Sequence, residues 1–189
     1  MRRAVVRDDL VLDSGRLQGA LELGVRLRGD VRVGARLQRQ NRRLHLAGPL
    51  GRARTAVEYL REQGTSSIFT VGFCFGGRNS WLAAADGHGL AGAVGFYGMP
   101  AARDGSPGPT DVAAEMDAPI LALQAGDDQN ITAEHNAAFE QALAHAGVEH
   151  EVVTYDGAPH SFFDRKQEAF AAASDDAWRR TLAFIDSHS

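Results

Sequence analysis

One cysteine, Cys74, is all that the 189 residues contain. No disulfide can close within such a chain and no cysteine cluster can hold structural zinc, so a reducing compartment is expected. Long apolar runs are missing as well. No window approaches the roughly 18 uninterrupted apolar residues of a membrane span, and no membrane association is expected. Arg2 and Arg3 resemble the charged start of an export signal, but Asp8 and Asp9 interrupt the stretch that should be apolar, so the sequence reads as cytoplasmic. Lysine is absent from the first 65 residues, which carry 14 arginines against 7 acids, whereas residues 66–189 carry 6 basic and 17 acidic residues. An arginine-rich arm suits phosphate contacts. Here no aromatic interleaves the arginines of the first 50 residues and no recognition-helix pattern is present, so they read as a solvated segment and no nucleic-acid partner is expected.

What is present is enough apolar material, 44% of the residues, for one globular domain with its own core. From residue 52 onward, helix-like and strand-like segments alternate, which predicts an α/β fold: a parallel sheet flanked by helices. Residues 52–63 place Ala53, Ala56, Val57 and Leu60 at helical spacing, and Gly64 supplies a stop. Residues 67–71 are short, β-branched and aromatic, and read as a buried central strand. A helix over 77–85, a strand over 91–97 and a Pro/Gly-rich loop over 98–117 follow. The segment 119–124 is nearly all apolar and reads as another strand. Thr132 can cap a helix running to Ala146. Residues 149–155 form a more polar strand suited to a sheet edge, and a last helix covers 166–187. Residues 1–50 form a divergent or poorly ordered segment ahead of a core over 51–189; their one alternating tract suggests a pair of strands around Gly29 and Asp30.

The run Gly72-Phe73-Cys74-Phe75-Gly76-Gly77 directly follows a strand. A nucleophile elbow turns sharply from strand to helix and needs small residues two before and two after the nucleophile, here Gly72 and Gly76. The following helix's N-terminus favours thiolate over thiol at Cys74, and the Phe75 N–H is placed to donate to an oxyanion. The alternative reading of an isolated cysteine is a buried small hydrophobe. Order along the chain separates the two. The strand 119–124 runs into a turn carrying Asp127 and Asp128, and the strand 149–155 runs into a loop carrying His160. Nucleophile, acid and histidine thus follow three successive strands. His160 then serves as base toward Cys74, and a carboxylate orients the ring. Either aspartate can reach it; Asp128 is preferred because Ile131, three residues on, can anchor its loop. The other six histidines have no comparable setting and read as surface or packing residues.

With these residues in view, the chain resembles the dienelactone hydrolase family over about residues 68–187, the resemblance being carried by SIFTVGFCFGGRNSW, AVGFYG, LALQAGDDQNI and YDGAPHSFFDR. The resemblance implies an α/β-hydrolase sheet and a Cys-His-Asp triad of Cys74, His160 and Asp128. It implies the opening of a small ester or activated lactone through an acyl-thioester that water then hydrolyses. Neither metal nor organic cofactor is implied, and a monomer or homodimer is expected. Arg78, Tyr97 and Ser161 are candidate substrate contacts, with Trp81 as a further pocket residue or part of the core.

The chain also departs from the family. Members place further strands before the elbow, with a loop that donates a second oxyanion N–H and a glutamate that meets the resting nucleophile. Residues 1–50 offer no such loop, and Glu22 is their only glutamate. A divergent half, a truncated product and a shifted reading frame each account for this. Members that cleave dienelactones bind the substrate carboxylate with arginines, one of them just after the histidine; here Asp164 stands there, with Arg165 next to it. Two other readings remain: a degenerate, ligand- or partner-binding relative, and a glutamine amidotransferase, whose His-Pro-Glu is absent because Ser161 and Phe162 follow His160.

Overall fold

A computed structural model of the chain describes residues 48–189. The predicted strand pair around Gly29 and Asp30, and almost all of the segment 1–50, lie outside the described residues. Among the described residues no helix is long and apolar enough to cross a membrane.

The elements run α1 (Pro49–Glu62), β1 (Phe69–Phe73), α2 (Phe75–Ala84), β2 (Gly92–Phe96), a 3₁₀ turn (Ala113–Glu115), β3 (Ile120–Asp127), α3 (Ala133–Ala146), β4 (His150–Pro159) and α4 (Ala171–Ser187). The four strands pair in parallel in the order β1-β2-β3-β4. Parallel neighbours require a crossover on a face of the sheet, and helices or turns supply each one. The result is the expected α/β architecture.

Alternation along each strand sends residues to two cores. On one face Ala93, Ile120 and Ala122 pack with Ala53, Val57 and Leu60 of α1, Trp81 of α2, and Phe139 and Leu143 of α3. On the other, Val94, Phe96, Leu121, Leu123 and Ala125 meet Phe162 and the α4 residues Ala177 and Phe184. With both faces covered, β2 and the first six residues of β3 are buried throughout. Trp81 belongs to this core. It is fully buried, packs 5.1 Å from Phe139 between ring centroids, and donates its indole N–H to the Leu121 carbonyl. A Cβ at Gly95 would stand 2.3 Å from that indole, so β2 carries glycine where the large ring must sit on the sheet.

Helix ends follow local chemistry. Thr132 caps α3 in extended conformation, and Gly147 closes it at φ 70°, a left-handed position that glycine adopts without steric cost. Gly64, at φ 86°, follows α1 and donates to the Arg61 carbonyl.

Several predicted boundaries shift. β1 was expected to be central; among the described residues it pairs only with β2, and its burial alternates, with Thr70 and Gly72 inward and Phe69, Val71 and Phe73 half-buried. Both β3 and β4 outlast their apolar stretches. Ala125–Asp127 and Asp156–Pro159, read as turn and loop, continue the ladder through an irregularity between Ala125 and Asp127. Backbone pairing sustains a strand past the point where its side chains are buried, which hydrophobicity cannot reveal. β4 does lie at the edge of the described sheet. The last helix begins at Ala171, because residues 160–170 are taken up by turns around His160.

Candidate active site

β1, β3 and β4 end on the same edge of the parallel sheet, where ligand sites of open α/β sheets form. Each delivers one chemically active side chain. Cys74 directly follows β1, its N–H donating to the Phe96 carbonyl at 2.9 Å and so extending the β1–β2 ladder by one residue. It adopts φ 56° and ψ −118°, a region that costs a non-glycine residue on the order of 1–3 kcal/mol, and α2 begins at the next residue. The strained turn leaves the thiol exposed. Tyr97 and Ser161 also have positive φ, at 37° and 64°. Among the described residues, three of the four non-glycine residues with positive φ therefore cluster at one edge, as strain does where the surrounding structure holds a functional geometry.

The glycines of the elbow divide differently from expectation. A Cβ at Gly72 would stand 2.0 Å from the Gly76 carbonyl oxygen, so Gly72 is obligatory. Gly76 itself has nothing within 4 Å of a built Cβ, and the expectation that it must be small is corrected. The second close approach belongs to Gly77, whose Cβ would meet the Phe96 carbonyl oxygen at 2.7 Å as α2 crosses β2.

The last registered pair of β3 and β4 is Asp127 opposite Pro159. The residues that follow, Asp128 and His160, are thereby neighbours, with Oδ2 of Asp128 2.5 Å from Nδ1 of His160. Asp127 points to solvent. The other oxygen of Asp128 accepts the N–H groups of Asn130 and Ile131 at 2.9 and 3.3 Å, and Ile131 is buried beneath them. The carboxylate is thus fixed from both sides, with its side chain 1% exposed against 36% for the imidazole.

His160 turns its reach toward Cys74. A hydrogen bond with the imidazole, reinforced by its charge and by the Phe75 N–H, holds the thiol below its ordinary value against the opposing effects of burial and the Asp164 carboxylate. Reciprocally, the bond with Cys74, followed by the one with Asp128, pushes His160 up to about 9 although burial works the other way. Both shifts act in the direction of a thiolate beside an imidazolium. Phe75, the first residue of α2, presents its N–H at the sulfur and its own ring to solvent, 45% exposed.

The candidate substrate contacts fare unevenly. Arg78 is buried and its guanidinium donates to the carbonyls of Met99, Ala101 and Pro107. Three of its N–H donors thereby support the loop after β2. Tyr97 is fully buried, its ring 5.0 Å from the His160 ring and 5.6 Å from Phe162. It backs the imidazole rather than lining an open pocket. Ser161 is part-buried directly after His160, and its carbonyl accepts the Arg165 N–H. Sequence reasoning passed over Gln124, whose buried amide donates to the carbonyl of Gly98 and to Asn136 and so ties β3 to the loop behind Tyr97. The signal was a polar residue ending an apolar strand. Among the described residues no group of acidic, histidine or cysteine side chains is arranged to hold a metal ion.

Comparison with known proteins shows which family the chain resembles in sequence and fold. The sequence pattern of the dienelactone hydrolase family matches residues 31–189. A Yersinia pestis protein named "Putative carboxymethylenebutenolidase" is 36% identical over 128 residues, which are 66% of this chain and 48% of that protein. An Escherichia coli K12 protein of the same name is 34% identical over 125 residues, 64% of this chain and 46% of the relative. The chain thus spans about half the length of these relatives. Among solved structures, one described as a "Putative Dienelactone Hydrolase" from Klebsiella pneumoniae superposes with a TM-score of 0.67 at 29% identity, covering 72% of this chain and 60% of that one.

Proposed function

The chain belongs to the dienelactone hydrolase family, and from that premise we propose that it hydrolyses small esters or lactones through Cys74, His160 and Asp128, with residues 51–189 as the catalytic core. The observation that carries this reading is the contact between His160 Nδ1 and Asp128 Oδ2. It commits one ring nitrogen to the carboxylate and leaves Nε2 for the thiol, the tautomer that a base toward Cys74 requires.

The thiolate attacks the substrate carbonyl, and a carbon–sulfur bond forms as the carbonyl electrons move onto oxygen. The Phe75 N–H, at the start of α2, donates to that oxyanion. Collapse of the intermediate breaks the carbon–oxygen bond, and the leaving alkoxide takes the proton held by His160. In a lactone, the freed alcohol stays attached to the acyl group. His160, now neutral, removes a proton from water as it attacks the thioester, and the carboxylic acid leaves with Cys74 restored. Asp128 keeps its charge throughout and stabilises the imidazolium each time it forms. No step calls for a cofactor. On this reading it acts on a small-molecule substrate in the cytoplasm, as a monomer or homodimer; a single cysteine suits such a reducing compartment.

Hydrolysis of p-nitrophenyl acetate and of a dienelactone by the wild-type protein, Cys74→Ala and His160→Ala tests the reading. Turnover confined to the wild type supports it, and equal background rates in all three proteins reject it.

A further inference from the structure

Resting on the reading of Cys74 as the attacking group, we propose that Asp164 sets the charge preference of the site, favouring esters that carry a cationic group near the reacting carbonyl over anionic ones.

Packing brings the carboxylate to the thiol. The rings of Phe73 and Phe163 stack with centroids 5.6 Å apart. The residues that follow them are Cys74 and Asp164, so one aromatic contact brings the carboxylate within electrostatic reach of the nucleophile. Phe163 also packs 4.7 Å from Phe96, which fixes the turn against the sheet. Asp164 is exposed, with one oxygen accepting the Arg165 N–H at 2.7 Å. The hydroxyl of Tyr97 is buried, and after burial itself the charge of Asp164 is what most resists its ionisation. Asp164 likewise opposes ionisation of Cys74.

Charge balance gives the sign. With one proton between thiol and imidazole, Cys74 and His160 are neutral as a pair whichever of them holds it. Asp128 and Asp164 then leave the site with a net negative charge. Asp128 is enclosed by its donors, whereas Asp164 faces the solvent from which substrate arrives. The Arg78 guanidinium is bound to backbone carbonyls and turned to the loop behind. An incoming ammonium group meets a favourable field, and a carboxylate meets an opposing one.

Cys74 is the single cysteine, so methanethiosulfonate reagents read this field without requiring turnover. The thiolate attacks the reagent's divalent sulfur, a mixed disulfide forms, and methanesulfinate departs with the electron pair. The rate with a trimethylammonium reagent is divided by the rate with a sulfonate reagent of equal size, for the full chain and its Asp164→Asn and Asp164→Lys variants. Any change in thiolate fraction cancels in this ratio. We expect it to fall about fivefold in Asp164→Asn, the effect of one partly screened charge at close range, to fall further in Asp164→Lys, and to shrink as salt is added. A ratio unchanged in both variants overturns the proposal. Turnover of cationic and anionic p-nitrophenyl esters runs in parallel. If the ratio shifts while neither ester is cleaved, the hydrolase reading fails and the field assigned to Asp164 stands; if esters are cleaved with no shift in ratio, the charge preference fails alone.

Discussion

Asp128 Oδ2 lies 2.5 Å from His160 Nδ1 because the two residues follow the final registered pair of β3 and β4, Asp127 opposite Pro159. The backbone ladder between β3 and β4, rather than a long search by flexible side chains, sets this contact.

The first prediction concerns that carboxylate. Asp128→Asn keeps the volume but gives the imidazole a neutral partner that cannot hold the tautomer or stabilise its positive form. On the proposed mechanism kcat/KM falls on the order of 10³–10⁴-fold, the scale of losing an orienting carboxylate from a triad. Asp127→Asn, at a residue that points to solvent, changes the rate by less than about twofold. Steady-state kinetics of both variants checks the contrast, and similar losses in the two would contradict it.

The second concerns proton position. The hydrogen bond with Cys74 is the largest influence holding His160 at about 9. Cys74→Ala removes it, so the imidazole pKa moves down toward its ordinary range while Asp128 still holds it up. Ring-proton chemical shifts against pH report this directly. The wild-type rate follows the same groups: kcat/KM rises through the lowered thiol pKa and declines as His160 loses its proton near 9. An unchanged imidazole titration in Cys74→Ala would contradict the coupling.

The third separates two glycines that look alike in the sequence. At Gly72 a methyl group would collide with the Gly76 backbone, and at Gly76 it meets open space. Gly72→Ala therefore destabilises the elbow by several kcal/mol or prevents folding. Gly76→Ala is neutral or stabilises by up to about 1 kcal/mol, because alanine suits a helix better than glycine. Urea unfolding of both variants decides, and equal midpoints would contradict the geometry.

Most of the architecture was legible because its signals are local. Helical spacing in α1, the β-branched tract before the elbow and the threonine before α3 each state an element within a dozen residues. The chain order of Cys74, Asp128 and His160 was readable for the same reason: each comes after a strand, and the strands, though not their last residues, can be located from apolar runs. What escaped depends on long-range packing. Gly77 and Gly95 are required by a helix and an indole that reach them from elsewhere in the chain, and nothing beside Gly76 shows that it faces open space. Arg78 resembled a ligand-binding group because its carbonyl partners lie 21–29 residues away in a loop without regular structure. Tyr97 and Trp81 are aromatics whose burial only the assembled sheet decides.

A fourth prediction concerns the loop that Arg78 supports. Arg78→Ala removes the donors from part-buried carbonyls at Met99, Ala101 and Pro107, with a loss of about 1–3 kcal/mol in stability. Arg78→Lys restores only part of it, since an ammonium lacks the planar fork. Denaturant titration measures this, and a loss below about 0.5 kcal/mol in Arg78→Ala would contradict the assigned role.

The central claim is that Cys74 carries the acyl group. Rapid acid quench of the protein during turnover of p-nitrophenyl acetate, followed by peptide mass analysis, tests it most directly. We predict one acetyl group on the peptide containing Cys74, lost on standing in the wild type and retained longer in His160→Ala, where water lacks its base. Hydrolysis that proceeds with no acetyl on Cys74, or with acetyl on another residue, would contradict the account.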